Sequence, residues 1–234
     1  MAGADVRFTP YGRREIVTAT AAAMLACAAL AGLAWAFSPY VLAGLAAPLA
    51  GWAAALAFFR DPHRQVPPGP GLFVSPADGR VAEIAAVGPD SPLGCEGTKV
   101  AVFMSVLDVH VNRSPVDGQV ERIEHRPGRF LDARDGRASA ENESATIRLR
   151  CQGPDGSFPV VVRQVAGLIA RRIVTDLAEG RTVRRGQRIG MVKFGSRVEL
   201  MVPRELARQV LVDVGRKVRA GQTVLISSQE AGHG

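Results

Sequence analysis

The sequence predicts a mainly β soluble domain, a flattened barrel or sandwich with duplicated β-turn-β units, behind an N-terminal transmembrane helical hairpin. Three observations predict it. Residues 16–59 contain no Asp, Glu, Lys, Arg or His. Beyond residue 65, short runs rich in Val, Ile and Phe alternate with Gly, Pro and Asp turn signals, as many short strands do. Finally, Gly180-Arg-Thr-Val-Arg-Arg-Gly-Gln187 recurs as Gly215-Arg-Lys-Val-Arg-Ala-Gly-Gln222, identical at six of eight positions. The 234 residues therefore divide into an anchor, 1–64, and a β domain, 65–234.

In the anchor, residues 16–37 and 40–59 are apolar runs of about 20 residues, the length that crosses a bilayer. Ser38-Pro39 separates them as a turn. Arg7, Arg13 and Arg14 precede the pair and Arg60 and Arg64 follow it, so the positive-inside rule puts both flanks on the cytoplasmic side of the inner (plasma) membrane. Gly32, Gly44, Gly51 and many alanines predict close approach of the two helices, while Pro48 weakens the second, so a re-entrant or half-inserted hairpin is the alternative to a full span. A cleaved signal peptide fits less well, because the apolar stretch runs far past an h-region and Arg60 follows like a stop-transfer charge.

The net charge of +7 suits anionic partners. With a membrane segment present, it points to acidic phospholipid rather than nucleic acid. Cys27, Cys95 and Cys151 lie far apart with no CxxC, which suggests neither a disulfide framework nor a zinc site and fits a reducing compartment. There is no P-loop, GxGxxG, HExxH or GxSxG pattern, so nucleotide, zinc-protease and α/β-hydrolase readings have no support.

After the Pro/Gly linker 65–71, strands are predicted at 72–74, 81–87, 100–104, 144–149, 158–165, 192–202 and 222–227. Only 166–177 has helical spacing. Each copy of the repeat places one Gly before a β-branched residue and a second before a strand, an arrangement similar to flattened barrels of the biotinyl/lipoyl-carrier type. Such carriers present a modifiable lysine at a hairpin tip. Here the only lysine between the repeats is Lys193, beside a Gly-Ser pair.

Of four histidines, His233 is in the tail, His63 abuts the anchor, and His125 sits in a charged loop. His110 lies in an apolar run, where an alternating strand would put Asp108, His110 and Asn112 on one face and Val109 and Val111 on the other. A polar row there is functional or is held by a structural bond such as His110 to Asp108. Asp78, in Pro76-Ala-Asp-Gly79, either closes its own turn or takes part in chemistry. Gly195, within Phe194-Gly-Ser-Arg-Val198, marks a bulge or a close backbone approach.

Six segments, in this order, resemble the phosphatidylserine decarboxylases in their short bacterial and archaeal form. They are Phe59-Arg-Asp-Pro62, Ser75-Pro-Ala-Asp-Gly79, Phe103-Met-Ser-Val-Leu-Asp-Val-His-Val-Asn-Arg-Ser-Pro115, Glu141-Asn-Glu143, Gln164-Val-Ala-Gly-Leu-Ile-Ala-Arg-Arg-Ile173 and Phe194-Gly-Ser-Arg-Val198. Longer bacterial members of that family carry a second histidine where Arg113 stands, and Thr where Arg197 stands. The resemblance implies self-cleavage between Gly195 and Ser196, with Ser196 converted to a pyruvoyl cofactor. Chains 1–195 and 196–234 would stay together as a heterodimer, with a higher oligomer left open. It further implies that His110 and Asp78 complete a Ser-His-Asp arrangement, His110 serving maturation, turnover or both. The pyruvoyl ketone would form a Schiff base with the amine of phosphatidylserine, giving phosphatidylethanolamine after loss of CO₂, with no metal or diffusible cofactor. Arg171 and Arg172 either contact the lipid phosphate or form an ordinary solvated pair. Two other readings stand beside this one: a decarboxylase of another serine phospholipid such as archaetidylserine, and a membrane-anchored lipoyl-like adaptor of a transport system. The adaptor reading lacks the sustained heptads of a coiled-coil hairpin.

Overall fold

The computed structural model describes residues 6–153, 156–168, 172–193 and 195–229. The chain separates into two units, Met1–His63 and Arg64–Gly234.

In the first unit, strand β1 (Val6–Phe8) leads to helix α1 (Arg13–Ala36), a 3₁₀ stretch (Pro39–Leu45), helix α2 (Ala46–Phe58) and strand β2 (Arg60–Pro62). β1 and β2 pair antiparallel, with Phe8 opposite Arg60, and close the open end of the helix pair. Pro48 falls in the first turn of α2, where a missing N–H loses no intrahelical bond. The spans Pro10–Ala36 and Pro39–Phe58 are long and apolar enough to cross a membrane, and almost none of their surface is buried by protein. Trp35, Leu25 and Met24 point outward, an arrangement suited to lipid as the solvent. Trp52 Nε1 donates to Thr20 Oγ1 across the pair at 3.1 Å. Of the three glycines expected between the helices, only Gly44 fits that expectation: a Cβ there would lie 3.3 Å from Leu30, whereas Gly32 and Gly51 face open space.

The second unit is antiparallel β structure. Its strands are β3 (Leu72–Val74), β4 (Gly79–Val87), β5 (Gly97–Met104), β6 (Val111–Arg113), β7 (Gly118–Arg126), β8 (Ser144–Gly153), β9 (Gly156–Val165), β10 (Ile173–Thr175), β11 (Thr182–Val183), β12 (Arg188–Val192), β13 (Ser196–Pro203), β14 (Gln209–Val210), β15 (Lys217–Val218) and β16 (Val224–Ser227). One short helix, α3 (Ala138–Glu141), precedes β8. Eight strands form a sheet in the order β11-β7-β8-β9-β13-β5-β4-β15, flanked by β10-β12-β6 and β14-β16-β3.

These orders are those of a duplication. β6 to β12 follow one another in the chain as half B. Half A repeats the same series as β3-β4-β5 and then β13-β14-β15-β16, so half B is inserted between β5 and β13. Backbone bonds match in the two halves. Gly180 N donates to Val120 O at 2.8 Å and Gly215 N to Val81 O at 2.7 Å; Gly186 N donates to Ser114 O at 2.8 Å and Gly221 N to Ser75 O at 2.9 Å. The halves also exchange bonds, Val74 N to Pro115 O and Arg113 N to Pro76 O. The duplication therefore extends beyond the Gly-Arg repeat to Ser75-Pro-Ala-Asp-Gly79 and Ser114-Pro-Val-Asp-Gly118.

The strand alternation builds the core. Val198, Leu200 and Val202 of β13 meet Val100 and Val102 of β5, Val160 and Val162 of β9, Ile147 and Leu149 of β8, and Leu225 and Ile226 of β16. Each such side chain contributes about 1.5–3 kcal/mol on burial.

Three expectations are corrected. The described residues of the helix expected at 166–177 are not helical: Ile173–Thr175 forms a strand paired with β12, and sheet pairing overrides weak helical spacing. The single strand expected at 192–202 is two, β12 and β13, in different sheets, so Gly195 lies in the connection between them and is not a bulge. The alternating face at 108–112 does not exist either: β6 begins at Val111, and Val109, His110, Val111 and Asn112 are all buried.

Candidate active site

In half B, β8 and β9 are neighbours whose register runs to Gly153 opposite Gly156. Their counterparts in half A, β5 and β13, end with Met104 opposite Ser196. From that point the chain leaves half A through residues 105–110 and returns through 193–195. Across the junction, β6 and β12 are paired with Val111 opposite Met191. Both connections thus join the same two strand pairs at the same end. His110 is the last residue of one, and Gly195 the last of the other. The turn 75–79 closes the same end, since Arg80 of β4 pairs with Phe103 just before Met104.

Ser196 is fully buried, and its Oγ makes no hydrogen bond among the described residues. Gly195 holds a φ of 60°, in the left-handed region that glycine occupies without strain. His110 is fully buried. The turn before it is fixed by Asp108, whose carboxylate accepts from Ser105 N at 2.9 Å and Ser105 Oγ at 2.7 Å. The Asp108 side chain therefore serves its own turn, and the His110 contact is to the backbone: Nδ1 lies 2.9 Å from Asp108 O. A carbonyl only accepts, so Nδ1 carries the hydrogen, and in the neutral ring Nε2 is the basic nitrogen.

A buried polar row runs beside this point. Thr175 Oγ1 donates to Gln164 Oε1 at 3.0 Å, Gln164 Nε2 to Asn112 Oδ1 at 2.8 Å, and Asn112 Nδ2 faces Met104 Sδ at 3.7 Å. Strand periodicity marks neither Gln164 nor Thr175 as a site residue; the signals in the sequence are an amide within the apolar run of β9 and the place of Gln164 at the head of a family segment.

Asp78 does not close its own turn; Ser75 Oγ does that, donating to Ala77 O at 2.6 Å. One Asp78 oxygen accepts from Arg64 Nη2 at 2.7 Å and the other from Ala220 N at 2.7 Å. Arg64 Nη1 also donates to Gln222 Oε1 at 3.0 Å. Burial pushes the Asp78 carboxyl above its ordinary value, outweighing Arg64 and the Ala220 N–H, and the Asp108 charge adds to the rise. That coupling places the turn before His110 within electrostatic reach of Asp78. His63 and His125 are exposed, as is Arg172. Phe194, Arg171 and His233 lie outside the described residues. Among the described residues no group of three or more His, Cys, Asp or Glu is placed to hold a metal ion.

A family model described as Phosphatidylserine decarboxylase matches residues 53–226. The chain belongs to the phosphatidylserine decarboxylase family. It is similar to proteins named "Phosphatidylserine decarboxylase proenzyme" from several bacteria. The relative from Rhodopirellula baltica is 39% identical over 225 residues, 95% of this chain and 89% of the relative. That from Paramagnetospirillum magneticum is 45% identical over 185 residues, 75% of each chain. That from Granulibacter bethesdensis is 48% identical over 174 residues, 73% of this chain and 69% of the relative.

Within this decarboxylase family, the two departures noted in the sequence have structural partners. Arg113 Nη1 donates to Gly186 O at 2.9 Å, and its side chain lies against Gly221, so it ties together the second glycines of the two repeats. Arg197 points away from Ser196, on the opposite face of β13 from the core. There its Nε donates to Glu199 Oε1 at 2.9 Å, and its guanidinium also pairs with Glu83. Lys99 joins Glu83 at 2.9 Å, and Ser139 Oγ donates to Glu199.

Proposed function

We propose that the chain is a proenzyme that cuts itself between Gly195 and Ser196, and that residue 196, converted to a pyruvoyl group, serves the decarboxylation of phosphatidylserine to phosphatidylethanolamine. Membership of the family supports the reaction. The observation that carries the self-cleavage is the buried Ser196 Oγ, without a described hydrogen bond, next to a glycine at φ 60°. A small ketoacyl group fits this position, because Gly195 presents no side chain and the polar row of Asn112 and Gln164 keeps the surroundings hydrogen-bonded.

In maturation, Ser196 Oγ attacks the carbonyl carbon of Gly195 while His110 takes the hydroxyl proton. The C–N bond breaks, its electron pair takes a proton, and the amide becomes an ester with the amine of Ser196 free. Loss of the α-proton of Ser196 then eliminates the Gly195 carboxylate, and hydrolysis releases ammonia. Asp78, held by Arg64 and Ala220 N, takes the acid's place in the Ser-His-Asp arrangement with His110. When formed, the pyruvoyl group supplies an electron sink for the bond to the departing CO₂. His110 Nε2 delivers the proton that takes the place of CO₂. The helix pair keeps the chain at the bilayer, where a diacyl substrate resides, on the cytoplasmic side by the arginine flanks.

Intact mass of the purified chain tests this. Two fragments divided after Gly195 are expected, the smaller one lighter by one NH₃ than a free-amine peptide and blocked to Edman chemistry. Ser196→Ala should give one uncut chain that forms no phosphatidylethanolamine from phosphatidylserine in mixed micelles. A wild-type chain that stays whole on prolonged incubation, or a Ser196→Ala chain that keeps decarboxylase activity, would overturn the proposal.

A further inference from the structure

The geometry points to a positioning pair for the self-cleavage, Gly167 and Asn142, which seats the carbonyl of Gly195 for attack; this rests on the cleavage reading above. A Cβ placed on Gly167 would lie 2.0 Å from Gly195 O and 3.1 Å from Gly195 C. The backbone of residue 167 thus stands directly against the carbonyl oxygen of the proposed scissile peptide. Gly167 is not among the glycines at positive φ, so conformation does not demand a glycine here. Space does.

The place of Gly167 is itself fixed. Asn142 is fully buried in the loop just before β8. Its Nδ2 donates to Ala166 O at 2.8 Å and to Leu131 O at 2.9 Å, while Oδ1 accepts from Leu131 N at 2.8 Å. Both amide hydrogens and the oxygen are engaged, so one side chain pins residues 131 and 166 to its own loop. Ala166 N donates to Glu143 O at 2.9 Å and adds a second bond at the same point. The residue that follows this double attachment is Gly167.

The physical need is clear from Gly195. A glycine at the scissile position allows the strained approach of Oγ to its neighbouring carbonyl, but it also lets that carbonyl swing through more orientations than any other residue would. Attack requires the reacting atoms to be held close and aligned, and a displacement of about 1 Å costs on the order of 100-fold in rate. A wall at residue 167, pinned by Asn142, limits the swing. A methyl group at 167 must push the carbonyl away, since 2.0 Å is far inside contact distance.

The competing account is packing alone, because the same Cβ would also come within 3.3 Å of Ala133 Cβ. Five full chains in detergent separate the two: wild type, Gly167→Ala, Gly167→Ala with Ala133→Gly, Asn142→Asp, and Ser196→Ala as the uncut reference. Conversion to fragments is followed by denaturing gel and intact mass, and folding by melting temperature against Ser196→Ala. The expected result is conversion slowed about ten-fold or more in Gly167→Ala and in Asn142→Asp, with no recovery on adding Ala133→Gly. Hydroxylamine, which splits an ester and spares an amide, should release no fragment from Gly167→Ala, because the step lost is ester formation. Conversion of Gly167→Ala at the wild-type rate would overturn the inference, as would recovery on adding Ala133→Gly or prompt hydroxylamine cleavage of Gly167→Ala after residue 195. If Gly167→Ala does not fold, a folded Asn142→Asp chain decides: conversion at the wild-type rate sinks the proposal, and slowed conversion without hydroxylamine release upholds it. A wild-type chain that never converts would instead remove the cleavage reading.

Discussion

Asp78 and Asp117 give a comparison built into one chain. Each follows a Ser-Pro dipeptide, and each accepts a backbone N–H from a repeat turn, Ala220 N at 2.7 Å and Arg185 N at 2.8 Å. Asp117 is exposed, whereas Asp78 is 9% exposed and paired with Arg64. Asp117→Asn therefore measures what the turn alone requires: a loss of about 0.5–1.5 kcal/mol in urea unfolding, with self-cleavage unchanged. Asp78→Asn should lose more, because it also leaves the buried Arg64 without its counter-charge, and should slow cleavage; equal cleavage by the two variants would remove Asp78 from the chemistry. The Asp-Gly turn was legible in the sequence, but its partner was not, because Arg64 reaches Asp78 through space from the linker side. Cys151 gives a second residue-scale test. Burial first, then the nearby Asp117 charge, pushes its thiol up to about 12, so only about one part in ten thousand is thiolate at pH 8. Iodoacetamide at that pH should leave Cys151 unlabelled in the folded chain and label it once urea unfolds the protein, as peptide mass mapping would show.

At the scale of elements, β13 carries a different task on each face. Ser196, Val198, Leu200 and Val202 share the core side, while Arg197 and Glu199 face the ionic network with Glu83 and Lys99. Burial raises the Glu83 carboxyl, but the hydrogen bonds and charges of Lys99 and Arg197 outweigh it and hold it below its ordinary 4.5. A carboxyl depressed on folding adds stability above its unfolded value, and that stability is lost as pH falls through the folded value. Urea midpoints should thus fall on acidification below 4.5, and Glu83→Gln should make that fall shallower. On the core side, Gln164→Leu leaves Asn112 Oδ1 and Thr175 Oγ1 without their partner, a cost of about 1–3 kcal/mol that chemical denaturation of the Ser196→Ala chain would read. Strand alternation made most of these elements legible. What it cannot report is the identity of the neighbouring strand, and for that reason the break between β12 and β13 and the strand at 173–175 escaped a reading by period alone.

At the scale of the whole second unit, cleavage after Gly195 would cut the chain where half B rejoins half A. The fragment 196–234 contributes β13 between β9 and β5, β15 at an edge of the same sheet, and β14 and β16 beside β3. No strand pair is broken. The two fragments should co-elute on gel filtration at neutral pH and separate only in denaturant; separation in native buffer would contradict this topology. The Gly-Arg repeat announced a duplication, yet the insertion of one half within the other could not be seen, because it is a fact of pairing rather than of composition. β13 begins at Ser196 itself. A ketoacyl residue, like proline, has no amide hydrogen to give. In the interior of a central strand that deficit would remove a rung of the ladder, whereas the first residue of a strand is where a missing donor is tolerated. The proposed modification falls at the one position of β13 where the sheet can accept a residue that no longer donates.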